Sequence, residues 1–135
     1  MKIRKAMAGL LVAGLAAVGT AATAPAAHAD GYGCAGSLVW SHTMTAGTVY
    51  TYFDGTNNCS VFVKSTYYGT PTTVELQIEN NAGQWGNLDN HGPYKYYAGP
   101  SRVYGVGHCV REFIYAENPS GGAIENDYTD WHSCN

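Results

Sequence analysis

At 135 residues the chain has room for one small domain, and its 7 basic against 10 acidic residues lack the basic footprint of a nucleic-acid or anionic-membrane binder. Charged side chains make up only 13%, whereas tyrosine (11) and glycine (17) abound, a composition suited to an exported all-β domain with wet, aromatic surfaces.

Lys2, Arg4 and Lys5 precede an apolar run from Ala6 to about Val18, and Ala27-His28-Ala29 forms an A-x-A cleavage site. This predicts a secretory signal over residues 1–29 and a single secreted β domain over residues 30–135. The run is shorter than the roughly 20 residues a membrane span needs, and no second one follows, so no membrane contact is expected after cleavage. Cleavage removes three basic and no acidic residues, leaving four against ten and a net charge of −6. Export together with four cysteines implies two disulfides in an oxidising exterior.

The first cysteine bracket, Cys34 to Cys59, folds back on itself if a two-residue turn is placed on Ala46-Gly47. Thr45 then faces Thr48, Met44 faces Val49, and Cys34 faces Cys59 at a non-hydrogen-bonded site, where Cα atoms approach to about 4.5 Å. Leu38, Trp40, Met44, Val49 and Phe53 share the cysteine face, and Tyr50 and Tyr52 fall with Ser, Thr and Asp on the other. Asp54-Gly55-Thr56-Asn57-Asn58 is itself a strong turn, which moves Cys59 onto the next strand, Cys59 to Lys64. The bridge then ties the first hairpin to the third strand.

Further on, Thr73 to Glu79 alternates cleanly, with Val74, Leu76 and Ile78 inward and Glu75 and Glu79 together on a solvated face. Asn80-Asn81-Ala82-Gly83 is a turn, Gln84 to Leu88 a short strand, and Asp89 to Pro93 a loop. Tyr94 to Tyr97 and Arg102 to Val106 form two strand segments around Ala98-Gly99-Pro100. The last bracket, Cys109 to Cys134, has the same length as the first. Aligned, Leu38-Val39-Trp40 matches Phe113-Ile114-Tyr115, which suggests two equivalent hairpins, each closed at its mouth. The favoured pairing is Cys34–Cys59 with Cys109–Cys134, each bridge stabilising by about 3 kcal/mol on the chain-entropy model. The nested alternative, Cys34–Cys134 with Cys59–Cys109, stays open. Strands spaced by turns with no helical period predict an all-β fold, a small antiparallel sandwich or barrel stapled by two disulfides.

Tyr96-Tyr97-Ala98-Gly99-Pro100, followed by Val103-Tyr104-Gly105-Val106-Gly107-His108-Cys109-Val110, resembles the actinobacterial spore-associated protein A family. So do Gly47-Thr48-Val49-Tyr50 and Asn57-Asn58-Cys59-Ser60-Val61-Phe62-Val63. The resemblance runs from about Gly47 to Cys109. It implies secretion and association with aerial hyphae or spores, and carries no catalytic residues.

No G-x-S-x-G elbow occurs, and the four cysteines are spoken for by the bridges. Glu75 and Glu79 lie about 13 Å apart along a strand, too far for a carboxylate pair. Glu125, Asp127, Asp130 and His132 lack the spacing of a calcium loop, and zinc ligands from His42, His91 or His108 are scattered. Catalytic residues, metals and cofactors are therefore not expected. Asn58-Cys59-Ser60 matches a glycosylation acceptor formally, but Cys59 is committed to a bridge. What remains is aromatic: Tyr67, Tyr68, Trp85, Tyr94, Tyr96 and Tyr97, with His91, lie in or beside loops rich in amides, a pattern suited to sugar or protein surfaces. The expected function is binding, without enzymatic activity, to an extracellular protein or a cell-wall glycan. Alternatives are an inhibitor of an extracellular enzyme, presenting Asp89 to Pro93 or Tyr67 to Pro71, and an adaptor subunit of a secreted complex.

Overall fold

The computed structural model describes residues 31–135, so the signal segment expected over residues 1–29 lies outside it. A 3-10 turn at Gly31–Gly33 precedes seven strands: β1 (Ser37–Thr43), β2 (Gly47–Phe53), β3 (Asn57–Lys64), β4 (Val74–Asn80), β5 (Tyr97–Tyr104), β6 (Val110–Glu117) and β7 (Ala123–Tyr128). They form one sheet in the order β1-β2-β3-β5 and a second in the order β4-β6-β7. Every pairing is antiparallel. The two sheets stack as a sandwich rather than closing into a barrel.

Alternation places the core. Val74, Leu76 and Ile78 of β4 point inward as expected, and Val110, Ile114 and Ala116 of β6 do the same. Val74, Leu76, Ile114 and Ala116 meet Val49, Ala98 and the fully buried Phe62 from the first sheet, while Ile78 and Val110 pack on Val103 of β5. One edge is drawn tight: a Cβ on Gly86 would lie 2.4 Å from the Arg102 carbonyl oxygen, so only glycine fits between β4 and β5 there.

Both disulfides join the expected partners, Cys34–Cys59 and Cys109–Cys134. Such bridges suit an oxidising setting such as the cell exterior. The two brackets are nevertheless not equivalent. Cys109–Cys134 closes the mouth of the β6–β7 hairpin, beside the Val110–His132 backbone pair. Cys34–Cys59 instead pins the chain before β1 onto β3. The aligned segments end in different places: β6 is the central strand of its sheet, whereas β1 is an edge, with Leu38 and Val39 exposed.

The first hairpin departs from its expected register. Thr43, not Thr45, faces Thr48, and a bulge between Leu38 and Trp40 shifts the pairing once more. The cause is Ala46, which is buried rather than perched on a turn. Its N–H donates to Glu125 at 2.9 Å, and its carbonyl accepts from the Ser65 and Thr66 N–H groups. These long-range bonds pull the turn into the body of the domain.

The faces sort differently as well. Tyr52 pairs with Cys59 and is buried with Cys34 and Val61, while Tyr32 and Tyr50 pack against them. This face of β2 and β3 is therefore covered by the stapled lead-in, not solvated. Glu79, expected in solvent, is 6% exposed and ion-paired to Arg111, whose guanidinium lies 4.3 Å from the Tyr128 ring and 4.6 Å from Trp131. In place of two segments around Ala98-Gly99-Pro100 there is one strand through it, β5 (Tyr97–Tyr104), with Tyr94 outside it in an isolated bridge to Thr72. Gln84 to Leu88 forms no strand and touches β4 through isolated bridges at Trp85 and Asp89. No described helix is long and apolar enough to cross a membrane.

Candidate binding site: a tyrosine cleft

Residues 94–99 carry the candidate site, and two buried charged groups hold their backbone in place. At the end of β3, Lys64 is 5% exposed. Its Nζ donates to the carbonyls of Thr70 at 2.7 Å and Tyr94 at 2.9 Å, and its own N–H reaches the Tyr96 carbonyl at 2.9 Å. Burial pushes the Lys64 pKa down. From the other side, the Asp89 carboxylate accepts the Tyr94 hydroxyl and, at 2.5 Å, the Gly99 N–H. Burial, then the bond to Asp89 and its charge, push the Tyr94 pKa up to about 12. Gly99 has φ +110°, and a Cβ there would sit 2.9 Å from the Ser60 carbonyl oxygen, so glycine alone lets this stretch lie against β3.

The result is an open cleft of about 260 Å³ lined by Tyr94, Lys95, Tyr96, Tyr97 and Gly99. Neighbouring rings extend it. Tyr68 lies 5.0 Å from Tyr96, and Tyr32 lies 4.9 Å from Tyr97, both pairs tilted as aromatic quadrupoles prefer. Burial, then the adjacent phenols of Tyr50, Tyr68 and Tyr97, raise the Tyr32 pKa, so these hydroxyls share one patch. Tyr32 adopts a left-handed backbone, with φ 54° and ψ 37°, between two glycines of positive φ. That conformation costs a non-glycine residue about 1 kcal/mol, which the Cys34 bridge and the Tyr97 contact offset.

Of the residues singled out from sequence, the structure gathers Tyr68, Tyr94, Tyr96 and Tyr97. Tyr67, at φ 50°, forms the turn that presents Tyr68 and is itself 44% exposed. His91 reaches the site only through Asp89, with its ring nitrogen 3.6 Å from the carboxylate. Trp85 is exposed opposite Glu79 and does not line the cleft. Tyr32, Tyr50 and Lys95 escaped sequence reasoning. The proximity of Tyr32 to Cys34 was the available signal, since a bridge two residues away anchors that ring to the sheet.

Replacing Tyr94 with phenylalanine removes one charge-assisted hydrogen bond from Asp89, and a stability loss of about 1.5 kcal/mol is expected in urea unfolding. An unchanged midpoint would show that Asp89 holds the segment through Gly99 alone.

A second polar cluster lies inside the sandwich. Glu112 is fully buried and accepts bonds from Thr51 at 2.8 Å, Ser60 at 2.5 Å and Thr129 at 2.9 Å, with His132 Nε2 at 2.8 Å. The His132 ring stacks on Trp40 with centroids 3.5 Å apart. Serine, histidine and glutamate meet here, but the Ser60 hydroxyl donates to the carboxylate instead of facing the imidazole, and Ser60 is 0% exposed. A substrate has no route to it, and the cluster is structural. Of the C-terminal acids weighed as metal ligands, Glu125 holds the Ala46 N–H and Asp127 caps the Tyr128 N–H. Among the described residues, no group of three or more His, Cys, Asp or Glu side chains is placed to hold a metal ion.

No family model, curated protein or solved structure matches the chain.

Proposed function

We propose that the protein is an exported, non-enzymatic binding domain that holds a glycan chain in the tyrosine cleft, at the surface of the cell or spore. The observation that carries this reading is the meeting of Tyr94, Tyr96 and Tyr97 in one open cleft, extended by Tyr68 against Tyr96, whose backbone is fixed from beneath by Lys64 and Asp89. Flat aromatic faces pack against the C–H faces of sugar rings, and phenolic hydroxyls bond sugar oxygens. Rings held on a rigid backbone lose little entropy on binding. At about 260 Å³ the cleft suits one or two sugar units. A stable protein partner requires about 800 Å² on each side, which favours the glycan over an adaptor or inhibitor role. Surface association rests on the resemblance to the spore-associated protein A family and on the signal expected over residues 1–29.

The test is calorimetric titration of residues 30–135 with cell-wall glycan fragments, alongside the Tyr96→Ala variant. Loss of one stacking ring is expected to weaken binding by about 1–2 kcal/mol, roughly 5- to 30-fold in Kd. Equal affinity in wild type and variant, or turnover of the fragments, would remove the proposal.

A further inference from the structure

Basic residues are scarce in this domain, and their placement is uneven. Of the four in residues 30–135, three lie on the four-stranded sheet or the loop leading into it: Lys64 at the end of β3, Lys95 in the cleft wall and Arg102 on β5. Arg102 donates to the Gly33 carbonyl, beside the Tyr32 lead-in. The fourth, Arg111, is paired with Glu79 on the opposite sheet. The acidic residues are distributed the other way. Glu75 and Glu79 lie on β4, Glu112 and Glu117 on β6, Glu125 and Asp127 on β7, and Asp130 just beyond. On the cleft side stand Asp54, whose pKa is lowered first by the Asn57 and Thr56 N–H groups and last by Arg102, and Asp89, already engaged by Tyr94 and Gly99.

Two cations at the cleft, Lys64 and Lys95, take part in no ion pair among the described residues, and Arg102, further along β5, is a third. The ion pairs there join His91 to Asp89, Arg111 to Glu79 and His132 to Glu112. Lys64 is the more telling of the two. A buried ammonium is ordinarily paired with a carboxylate, because removing it from water is costly. Here two carbonyls satisfy two of its three donors, and its charge is left directly behind the Tyr94 backbone. Its field is weakly screened, since little solvent intervenes. Lys95 then stands exposed at the cleft wall with Tyr94, Tyr96 and Tyr97, and the phenols of Tyr32, Tyr50 and Tyr68 share one patch with Tyr97. With the Asp89 carboxylate turned to the Tyr94 hydroxyl and the Gly99 N–H, two cations against one anion, clustered donors and stacking faces make the site complementary to a ring that carries an anionic substituent.

We infer that the cleft is selective for an anionic glycan, a chain bearing a carboxylate or phosphate on each repeat, with Lys95 as the direct charge partner and Lys64 as the fixed charge behind it. This rests on the proposal that the cleft binds glycan at all. The net charge of −6 does not oppose it, because the acidic residues are concentrated on the far sheet and are screened beyond about 10 Å at ordinary ionic strength.

Residues 30–135 are titrated by calorimetry with three probes: a neutral chitin hexamer, a galacturonate hexamer and a glycerol-phosphate hexamer. Expected at low salt is at least 10-fold tighter binding of one anionic probe than of the neutral one, with the better anion identifying carboxylate or phosphate as the source of the charge. That advantage falls in 300 mM salt. Lys95→Ala, an exposed change that leaves the fold intact, removes 3- to 10-fold more of the anionic affinity than of the neutral one, and Lys95→Glu widens that difference. Neutral binding as tight as anionic, or a Lys95→Ala loss of equal size for all three probes, would overturn the inference while leaving the cleft as a glycan site. Absence of binding by every probe would overturn both.

Discussion

Replacing Glu112 with alanine is expected to lower folding stability by about 3–5 kcal/mol, a large share of what a domain of this size possesses. The carboxylate is the common acceptor for Thr51, Ser60 and Thr129 and the partner of His132, and all five side chains are buried. Removing it takes the buried acceptor away from three hydroxyls and an imidazole, and the Thr51–Ser60 bond replaces only part of what is lost. The damage also spreads between sheets, because Thr51 and Ser60 belong to β2 and β3 whereas Glu112 belongs to β6. Glu112→Gln keeps the shape and one acceptor oxygen and should fall between wild type and alanine. Urea unfolding monitored by tryptophan fluorescence reads both, since Trp40 stacks on His132. A loss below 1 kcal/mol for the alanine variant would mean that the network can rearrange and is not a fixed tie.

The same carboxylate sets an acid limit. Burial alone would raise the Glu112 pKa, but the bond to His132 and its charge, together with the bonds from Ser60 and Thr51, outweigh it and the net shift is downward. A carboxyl whose folded pKa lies below its unfolded value stabilises the fold fully above the unfolded pKa. That contribution is lost as pH falls through the folded one. Stability should therefore decline once the pH drops below the ordinary glutamate range, and Glu112→Gln should flatten this part of the profile. A pH–stability curve that is the same in both proteins would show that other carboxylates control acid unfolding.

Removal of the Cys34–Cys59 bridge as a double alanine variant is expected to cost about 3 kcal/mol and, in addition, to weaken ligand binding. Its closed loop spans a sequence separation of 25 residues, and it fastens the lead-in that carries Tyr32 against Tyr97. Without the tether, the left-handed turn at Tyr32 has less to hold it, and the edge of the aromatic patch loosens. The Cys109–Cys134 variant provides the control. It closes a loop of the same separation and costs a similar amount of stability, but it sits at the mouth of the β6–β7 hairpin and should leave affinity unchanged. Equal affinity losses in the two variants, measured at a temperature where both remain folded, would show that binding follows global stability instead of the lead-in.

Local patterns in the sequence carried much of the architecture. The alternation of Val74, Leu76 and Ile78 identified a core strand correctly because period-2 burial needs no knowledge of the partner. The fold-back of the first cysteine bracket and the equal length of the second favoured the observed bridges over the nested pairing, and the turn at Asp54 to Asn58 moved Cys59 onto β3. Long-range bonds decided what the sequence left hidden. Ala46 moved the first hairpin's register by bonding to Glu125, 79 residues away. Tyr52 and Tyr50 read as solvent-facing because nothing local indicates that the stapled lead-in folds over them. Glu79 read as solvated because its partner, Arg111, lies 32 residues on. The aromatic loops were legible as a composition bias, but which rings meet was not. Tyr68 joins Tyr96 across 28 residues, whereas Trp85, nearer in sequence, is directed away by its pairing with Glu79.

We propose that the tyrosine cleft is where this domain meets its ligand. Amide chemical-shift mapping of isotopically labelled residues 30–135 during titration with cell-wall glycan fragments tests it most directly. The predicted result is a continuous set of perturbed amides at residues 94–99, 67–69 and 31–33, with the β4-β6-β7 sheet unmoved. Perturbations confined to that second sheet, around Phe113, Tyr115 and Tyr128, would contradict it.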